Sequence, residues 1–257
     1  MPRLPRKISR SGMYHVMFRG ANRQEVFHDD QDFNKLLCIV EKYRIESSMS
    51  IYAWCFMNNH VHLLLKEGNE SLSNTMKRIG VSYVSYYNLK YHTNGHLFQD
   101  RFKSENVETY QYARTVTRYI HQNPVKAGMV GHVCEWRWSS CHEYYGRYYP
   151  HRLVDTDFIL GMFSTEKKDA TNRFIEFNEM HNYDVCLDEG VDKRKLTDDE
   201  ARPEIKRVLD GIEIVEVKSL PKAKRSEVLH SIKSIKGVSQ RQAARILGIS
   251  PNLIFRA

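Results

Sequence analysis

The sequence predicts an α+β fold: a ferredoxin-like antiparallel sheet with helices on one face, followed by a small all-α, helix-turn-helix-like region. Three observations predict it. Segments of period-two and of helical patterning alternate over residues 13–123 in the order β-α-β-β-α-β-α. The two middle strands meet across a two-residue turn, which makes them antiparallel neighbours. The last sixty residues lack strand patterning and read as short basic helices.

Each element has its own justification. "MYHVMFRG" alternates, is rich in aromatic and β-branched residues, and is broken by Gly20, as a strand is. "DDQDFNKLLCIVEKYRIES" opens on acidic residues and repeats Phe33, Leu36, Leu37 and Val40 at helical spacing. "SIYAWCFM" and "HVHLLLKE" are two strands around Asn58-Asn59, a weaker hairpin signal than Asn-Gly. "SLSNTMKRIGVSYVSYYNLKYH" is a second amphipathic helix, capped by Ser71 or Ser73. "GHLFQDRFKSENVET" reads as a strand or hairpin. "TYQYARTVTRYIHQN" reads as a third helix, stopped by Pro124.

Beyond this run the chain turns loop-rich, through "CEWRWSSCHEYYG", and then helical around "STEKKDATNRFIEFNEMH". "NYDVCLDEGVDKRK" looks like a polar linker. The expected division is residues 1–146, a helical extension and linker over 147–195, and a helix-turn-helix-like region over 196–257.

Composition narrows the function classes. The 257 residues are 41% hydrophobic and 27% charged, as in an ordinary globular protein. Net charge is +8, from 39 Lys and Arg against 31 Asp and Glu, which favours a polyanionic partner. Fifteen Tyr and eleven Phe offer stacking surfaces for unpaired bases, although most such residues belong to cores. The basic opening "MPRLPRKISRSG" has no apolar segment behind it, so it does not read as a secretory signal. No run approaches the ~18 apolar residues of a membrane span. Five scattered cysteines without a CxxC pair read as buried thiols in a reducing cytoplasm, in or near the nucleoid.

The motif with chemistry in it is "MNNHVHLLLKEG". In a strand, residues two apart share a face, so His60 and His62 project together and Val61 enters the opposite layer. Such a pair can chelate a cation, but two imidazoles are half a site, and packing and metal readings both stay open. In "TRYIHQNPVKAG", Tyr119 and Asn123 are four apart and share a helix face. A helix crossing the strand face would bring an amide oxygen and a phenol towards the histidines. An ordinary half-buried tyrosine is the commoner case, and the spacing alone does not overturn it.

Taken together, "GMYHVMFRGANRQEVFHDD", "MNNHVHLLL", "QDRFKSENV", "YIHQNPVKAG" and "WRWSS", in that order, resemble the single-tyrosine HUH transposases, and among them the REP-associated tyrosine transposase branch. The resemblance covers roughly residues 1–145 and is specific in combination; "HVH" alone is weak. It implies His60 and His62 as metal ligands, Asn123 as the third ligand and Tyr119 as the catalytic tyrosine. Related insertion-sequence transposases often carry Gln where this chain has Asn123. The implied cofactor is Mg²⁺ or Mn²⁺, and the implied reaction is cleavage and rejoining of single-stranded DNA at hairpin sites through a 5′-phosphotyrosine. Tyr112, seven residues earlier, is the alternative nucleophile; His121 points away from Tyr119 and is not assigned. Arg19, Arg23, Arg101 and Lys103 are candidates for phosphate or hairpin contacts, against an equal expectation of solvated surface cations. "WRWSS" reads as a stacking platform or a packing clasp. Relatives of the insertion-sequence kind are dimers with shared sites, so a homodimer and a monomer both remain open.

"SQRQAARILGISPNLIFRA" has helix-turn-helix spacing. Ser239 with Gln242 forms a capping box, Gly248 makes the turn, Ser250-Pro251 starts the second helix and Ile254 packs back. Gln240, Arg241, Asn252 and Arg256 are its candidate contacts to duplex DNA, while "RSEVLHSIKSIK" is the supporting helix. Any small helical hairpin would share this pattern. The chain ends inside the second helix, at Ala257, which is expected to be short or truncated.

Three other readings compete with the transposase. A non-catalytic DNA-binding regulator would bind duplex DNA without forming an adduct. A metallo-hydrolase would need Zn²⁺ and a carboxylate near "NNHVHLLL", where the sequence shows none. A replication or conjugation initiator shares the chemistry but not the likeness along the first half.

Overall fold

The structure is a computed structural model and describes residues 6–147, 152–187, 196–235 and 237–256. The chain divides into two compact units, Met1–Leu187 and Asp188–Ala257. Of the expected linker, 182–195, the structure describes residues 182–187; 188–195 lie outside the described residues. No helix among those described is long and apolar enough to cross a membrane.

In the first unit the elements run β1 (Met13–Arg19), α1 (Asp30–Ser47), β2 (Ser50–Met57), β3 (His60–Lys66), α2 (Leu72–Tyr91), β4 (Lys103–Asn106) and α3 (Tyr110–Lys126). The sheet order is β2-β3-β1-β4 and every pair is antiparallel. β3 sits between β1 and β2, and β1 between β3 and β4, so two split βαβ units interleave as in ferredoxin-like folds. Helix starts follow the side chains that satisfy open N–H groups. Asp29 accepts from Gln31 N and Asp32 N, Ser71 from Asn74 N, and Thr109 from Tyr112 N.

The helices do not lie on one face. α1 and α2 cover Val16, Phe18, Trp54, Phe56, Val61, Leu63 and Leu65. α3 covers the other face, with Val116, Tyr119 and Ile120 against Met13, Ala53, Cys55, Met57 and Leu64. The strands explain the correction: β1, β2 and β3 are buried at nearly every position, and a strand apolar on both sides needs cover on both.

Pro124 does not stop α3. It sits in the last turn, where its ring forfeits only the bond back to Ile120, and the helix runs to Lys126. Ala127 N–H then donates to Asn123 O at 2.9 Å, and Gly128 turns out of the helix at φ +69°. Only four residues of "GHLFQDRFKSENVET" form a strand, β4; the segment before it meets the end of β1 through an isolated bridge, Gly20 to Phe98, and the Gln99 N–H bond to Arg19 O at 2.8 Å. Gly20 is needed for close approach, since a Cβ there would lie 2.1 Å from Gln24 O.

"WRWSS" is a clasp. Trp138 is buried and stacks on Phe33 at 4.5 Å, its carbonyl accepts from Phe56 N–H, and Trp136 Nε1–H donates to Phe56 O at 3.0 Å. The short α4 (Cys141–Tyr144) and α5 (Thr156–Leu160) follow, then α6 (Lys167–Glu179), which packs on α3 through Phe174. All five cysteines are free thiols, but only Cys55, Cys141 and Cys186 are buried. Cys38 is exposed because it falls on the outer face of α1.

The second unit holds α7 (Asp198–Leu209), α8 (Lys222–Lys233), α9 (Gln240–Leu247) and α10 (Pro251–Arg256) around Ile205, Val217, Leu229, Ile232, Ala244, Leu247 and Ile254. Ser239 and Gln242 form a reciprocal capping box, and Gly248 ends α9 in the left-handed region at φ +64°.

Candidate active site

The polar residues of the first unit's sheet gather under α3. Residues paired directly across antiparallel strands point to the same face. The register therefore makes three rows: Met57, His60 and Arg19; Cys55, His62, Met17 and Lys103; Ala53, Leu64, His15 and Glu105. His60 and His62 share this face, with ring centroids 5.0 Å apart and planes nearly perpendicular. Val61 lies in the opposite core.

Each histidine has a polar partner for Nδ1. His60 Nδ1 lies 2.6 Å from Asn59 Oδ1. An amide oxygen only accepts, so Nδ1–H donates and the Nε2 lone pair of His60 points elsewhere. His62 Nδ1 lies 2.9 Å from Nε2 of His15, a residue with no exposed surface. Burial holds both of these rings neutral. It pushes His15 down to about 3, and it pushes His62 well below the usual histidine value, aided by His60, His15 and Arg19 nearby. A neutral imidazole is the form that can ligate a cation.

α3 lays Tyr119 over this pair. Its ring stands edge-on to His62 at 5.9 Å and to His15 at 5.8 Å, is only 4% exposed, and has the Lys126 ammonium 5.0 Å from its centroid. The tyrosine and the histidines thus come together within a single chain. Tyr112 is placed otherwise: burial, the neighbouring Cys186 and a hydrogen bond to Glu105 all raise its pKa, which disfavours its phenolate form. His121 points away, to Ser140 Oγ at 2.8 Å and Asn178 Oδ1 at 3.2 Å.

Asn123 sits one turn after Tyr119 on α3, and its Nδ2 is buried without a hydrogen-bond partner among the described residues. Turning the amide over presents its oxygen instead, so an open amide one turn from Tyr119, on the helix that covers the histidine face, has the chemistry of a cation ligand. Among the described residues, no three His, Cys, Asp or Glu side chains form a metal-binding group. The candidate donors are therefore two imidazoles and an amide, a mixed set.

The proposed DNA contacts separate. Arg19 and Lys103 stand in the rows of His60 and His62. Arg23 is exposed at the end of a 3-10 turn (Ala21–Arg23), and its carbonyl accepts from Asn59 Nδ2 at 3.3 Å, near His60. Arg101 is not in a strand. It is exposed in the bend before β4 and lines a groove with Phe18, Lys77, Phe98 and Phe102 on the α2 side, away from the histidines. In the second unit, Arg241 and Asn252 are exposed and Gln240 partly so, while the Arg256 side chain lies outside the described residues.

Sequence reasoning missed His15, Glu105 and Lys126. For His15 a signal existed: in "MYHVMFR" it alternates with Tyr14 and Val16, so it faces away from the apolar layer, four residues before Arg19. For Glu105 there was none, since only the register puts β4 opposite His15.

Residues 9–123 match the family described as "Transposase IS200 like". The REP-associated tyrosine transposase of Escherichia coli (strain K12) is 29% identical over 103 residues, 39% of this chain and 59% of that protein, so the match spans under two thirds of the relative's length. A solved structure described as the REP-associated tyrosine transposase bound to a REP hairpin is similar over 61% of this chain and 93% of that one. Its TM-score is 0.50 and its identity 22%, and it shares the fold.

Proposed function

We propose that this chain, whose residues 9–123 match the IS200-like transposase family, is a single-tyrosine DNA transposase of the REP-associated kind that cleaves and rejoins single-stranded DNA at hairpin sites. The observation that carries the proposal is the edge-on placement of Tyr119 against His62 and His15, on the face that also bears His60, Arg19 and Lys103.

In this mechanism Arg19 and Lys103 hold phosphates of the bound strand across the histidine rows. His60, His62 and the Asn123 amide would hold a divalent cation, Mg²⁺ or Mn²⁺, which would supply charge neutralisation at the scissile phosphate. The Tyr119 oxygen attacks phosphorus and gives up its proton. The bond from phosphorus to the 3′-oxygen breaks, and that oxygen leaves as a 3′-hydroxyl with a 5′-phosphotyrosine behind it. The phosphodiester count is unchanged, so a 3′-hydroxyl reverses the step and rejoins strands without ATP. Burial of Tyr119 under α3 limits competing attack by water. Because α3 carries Tyr119 onto its own sheet, one chain suffices for the step. Gln240, Arg241 and Asn252 of the second unit add contacts to duplex DNA.

The test is cleavage of single-stranded hairpin DNA with Mg²⁺ or Mn²⁺, read as a protein-linked strand on a denaturing gel. Wild type should form the adduct, while His62→Ala and Tyr119→Phe should not. An adduct surviving Tyr119→Phe would move the nucleophile to Tyr112. Duplex binding with no adduct on any hairpin would favour a non-catalytic regulator.

A further inference from the structure

The histidine face holds two buried polar atoms that nothing described satisfies: Nδ1 of His15 and Oε2 of Glu105. Native folds rarely leave such atoms open, because a buried polar atom without a partner loses its hydration for nothing. The two belong to residues paired directly across β1 and β4. Paired Cβ atoms on one face stand about 5 Å apart, within reach of one hydrogen bond or one bridging water. Glu105 also engages the Tyr112 hydroxyl of α3, so its carboxyl group is anchored.

The alignment of donors and acceptors along this row has only one direction that serves a ligand. An ionised carboxylate only accepts, so towards Glu105 the His15 ring must present Nδ1–H. A neutral His15 with its proton on Nδ1 has a bare Nε2, which accepts. The atom 2.9 Å away, His62 Nδ1, must then carry the proton and donate. His62 is left with its lone pair on Nε2. Reversing the chain puts the proton on His62 Nε2 and makes it a donor, unable to bind a cation. His60 reaches the same tautomer by a shorter route, through Asn59 Oδ1.

We propose that Glu105 and His15 are positioning residues: they form a carboxylate–imidazole chain that fixes His62 as its Nδ1–H tautomer and turns Nε2 towards the cation site. The cation in this statement rests on the function proposed above; the tautomer does not. Neither residue touches substrate. Their work is to set which nitrogen of His62 is bare before any metal arrives, the role outer partners of metal-bound histidines commonly fill.

Long-range ¹H–¹⁵N correlation on the metal-free full chain, labelled at histidine, reads the tautomer directly. Wild-type His62 should be protonated at Nδ1. Glu105→Ala and His15→Ala should convert it to a mixture containing the Nε2–H form. Glu105→Gln, whose amide oxygen still accepts, should keep the wild-type tautomer. Titration with Mn²⁺ alone, read by the loss of free-ion electron paramagnetic resonance, should show affinity about 10–100-fold weaker in the two alanine variants. An Nε2–H proton on His62 in wild type would overturn the proposal, and so would an unchanged Nδ1–H form in both alanine variants. A wild type with the expected tautomer but no Mn²⁺ binding would support the chain and count against the cation.

Discussion

Asp32 lies in the first turn of α1 with no exposed surface, and both its oxygens are filled from α2 and the loop before α1. Oδ1 accepts from Lys90 Nζ at 2.7 Å and Tyr86 OH at 3.0 Å. Oδ2 accepts from Tyr91 OH at 2.6 Å and His28 N–H at 2.8 Å. Asp32→Ala strands these four donors. Lys90 keeps Asp29, both of whose oxygens lie at 2.8 Å, so no ammonium is left alone. Four hydrogen bonds at a net ~1 kcal/mol each, some to a charged group, place the loss at about 3–5 kcal/mol, the range for breaking a buried ion pair.

The same contacts set a pH dependence. Burial alone would raise the Asp32 pKa, but the bonds from Lys90, Tyr91, His28 and Tyr86 outweigh it and hold the group below the ordinary aspartate range. A carboxyl group depressed on folding stabilises the fold above its unfolded pKa of about 4, and loses that contribution as pH falls through the lower folded value. Urea unfolding followed by tryptophan fluorescence isolates the first unit, because Trp54, Trp136 and Trp138 all lie in it. The gap between wild type and Asp32→Ala should be about 3–5 kcal/mol at pH 7 and narrow as pH falls below about 4. A gap under about 1 kcal/mol at pH 7, or one that widens with acid, would refute the reasoning.

Two further expectations concern the site. Asp184 holds Arg118 of α3 through two bonds, at 2.8 and 3.0 Å. Asp184→Ala leaves that nearly buried guanidinium unpaired and should cost about 3–5 kcal/mol by urea unfolding; a loss under about 1 kcal/mol would show that α3 does not depend on the pair. Arg19→Ala and Lys103→Ala should each flatten the salt dependence of single-stranded DNA binding, by about 0.7 in log–log slope for each phosphate no longer neutralised. Fluorescence anisotropy across a salt series checks this, and unchanged slopes would remove both cations from the interface.

Much of the first unit was legible because its signals are local. Alternation in "MYHVMFRG" and "HVHLLLKE", acidic starts and Ser71 all act within a few residues, and strand order then follows from pairing rules. The side of the sheet that α3 covers was not legible, since β3 alternates His with Leu on one face and Val with Leu on the other, and both faces can be buried. Pro124 misled for a related reason: proline breaks a helix interior but is tolerated one turn from its end, and the end is set by Gly128. Arg101 and Lys103 look alike in "QDRFKSENV", yet they part at the first residue of β4. His60, His62, Tyr119 and Asn123 could be read from spacing and resemblance, whereas His15 and Glu105 depend on a register between strands about ninety residues apart.

The two faces of the sheet divide the work in a way the energetics explain. On the α1–α2 side, Phe18, Trp54, Phe56, Leu63 and Leu65 bury apolar surface at about 25 cal/mol per Å² and demand no geometry finer than good packing. That face can hold the strands in register without help from the other. Relieved of that load, the α3 side carries three histidines, a glutamate and two cations among its apolar residues, a costly arrangement in a principal core. α3 is correspondingly secured from outside rather than by its inner face alone. Arg118 binds Asp184, Gln122 Nε2–H donates to Asn178 O at 2.7 Å, and Asn182 Nδ2–H donates back to Gln122 Oε1 at 2.7 Å. Arg118 and Gln122 immediately precede Tyr119 and Asn123, so the end of α6 and the segment after it fix the helix that delivers them. The residues beyond the family match, from 124 to 187, thus bear on where the tyrosine stands.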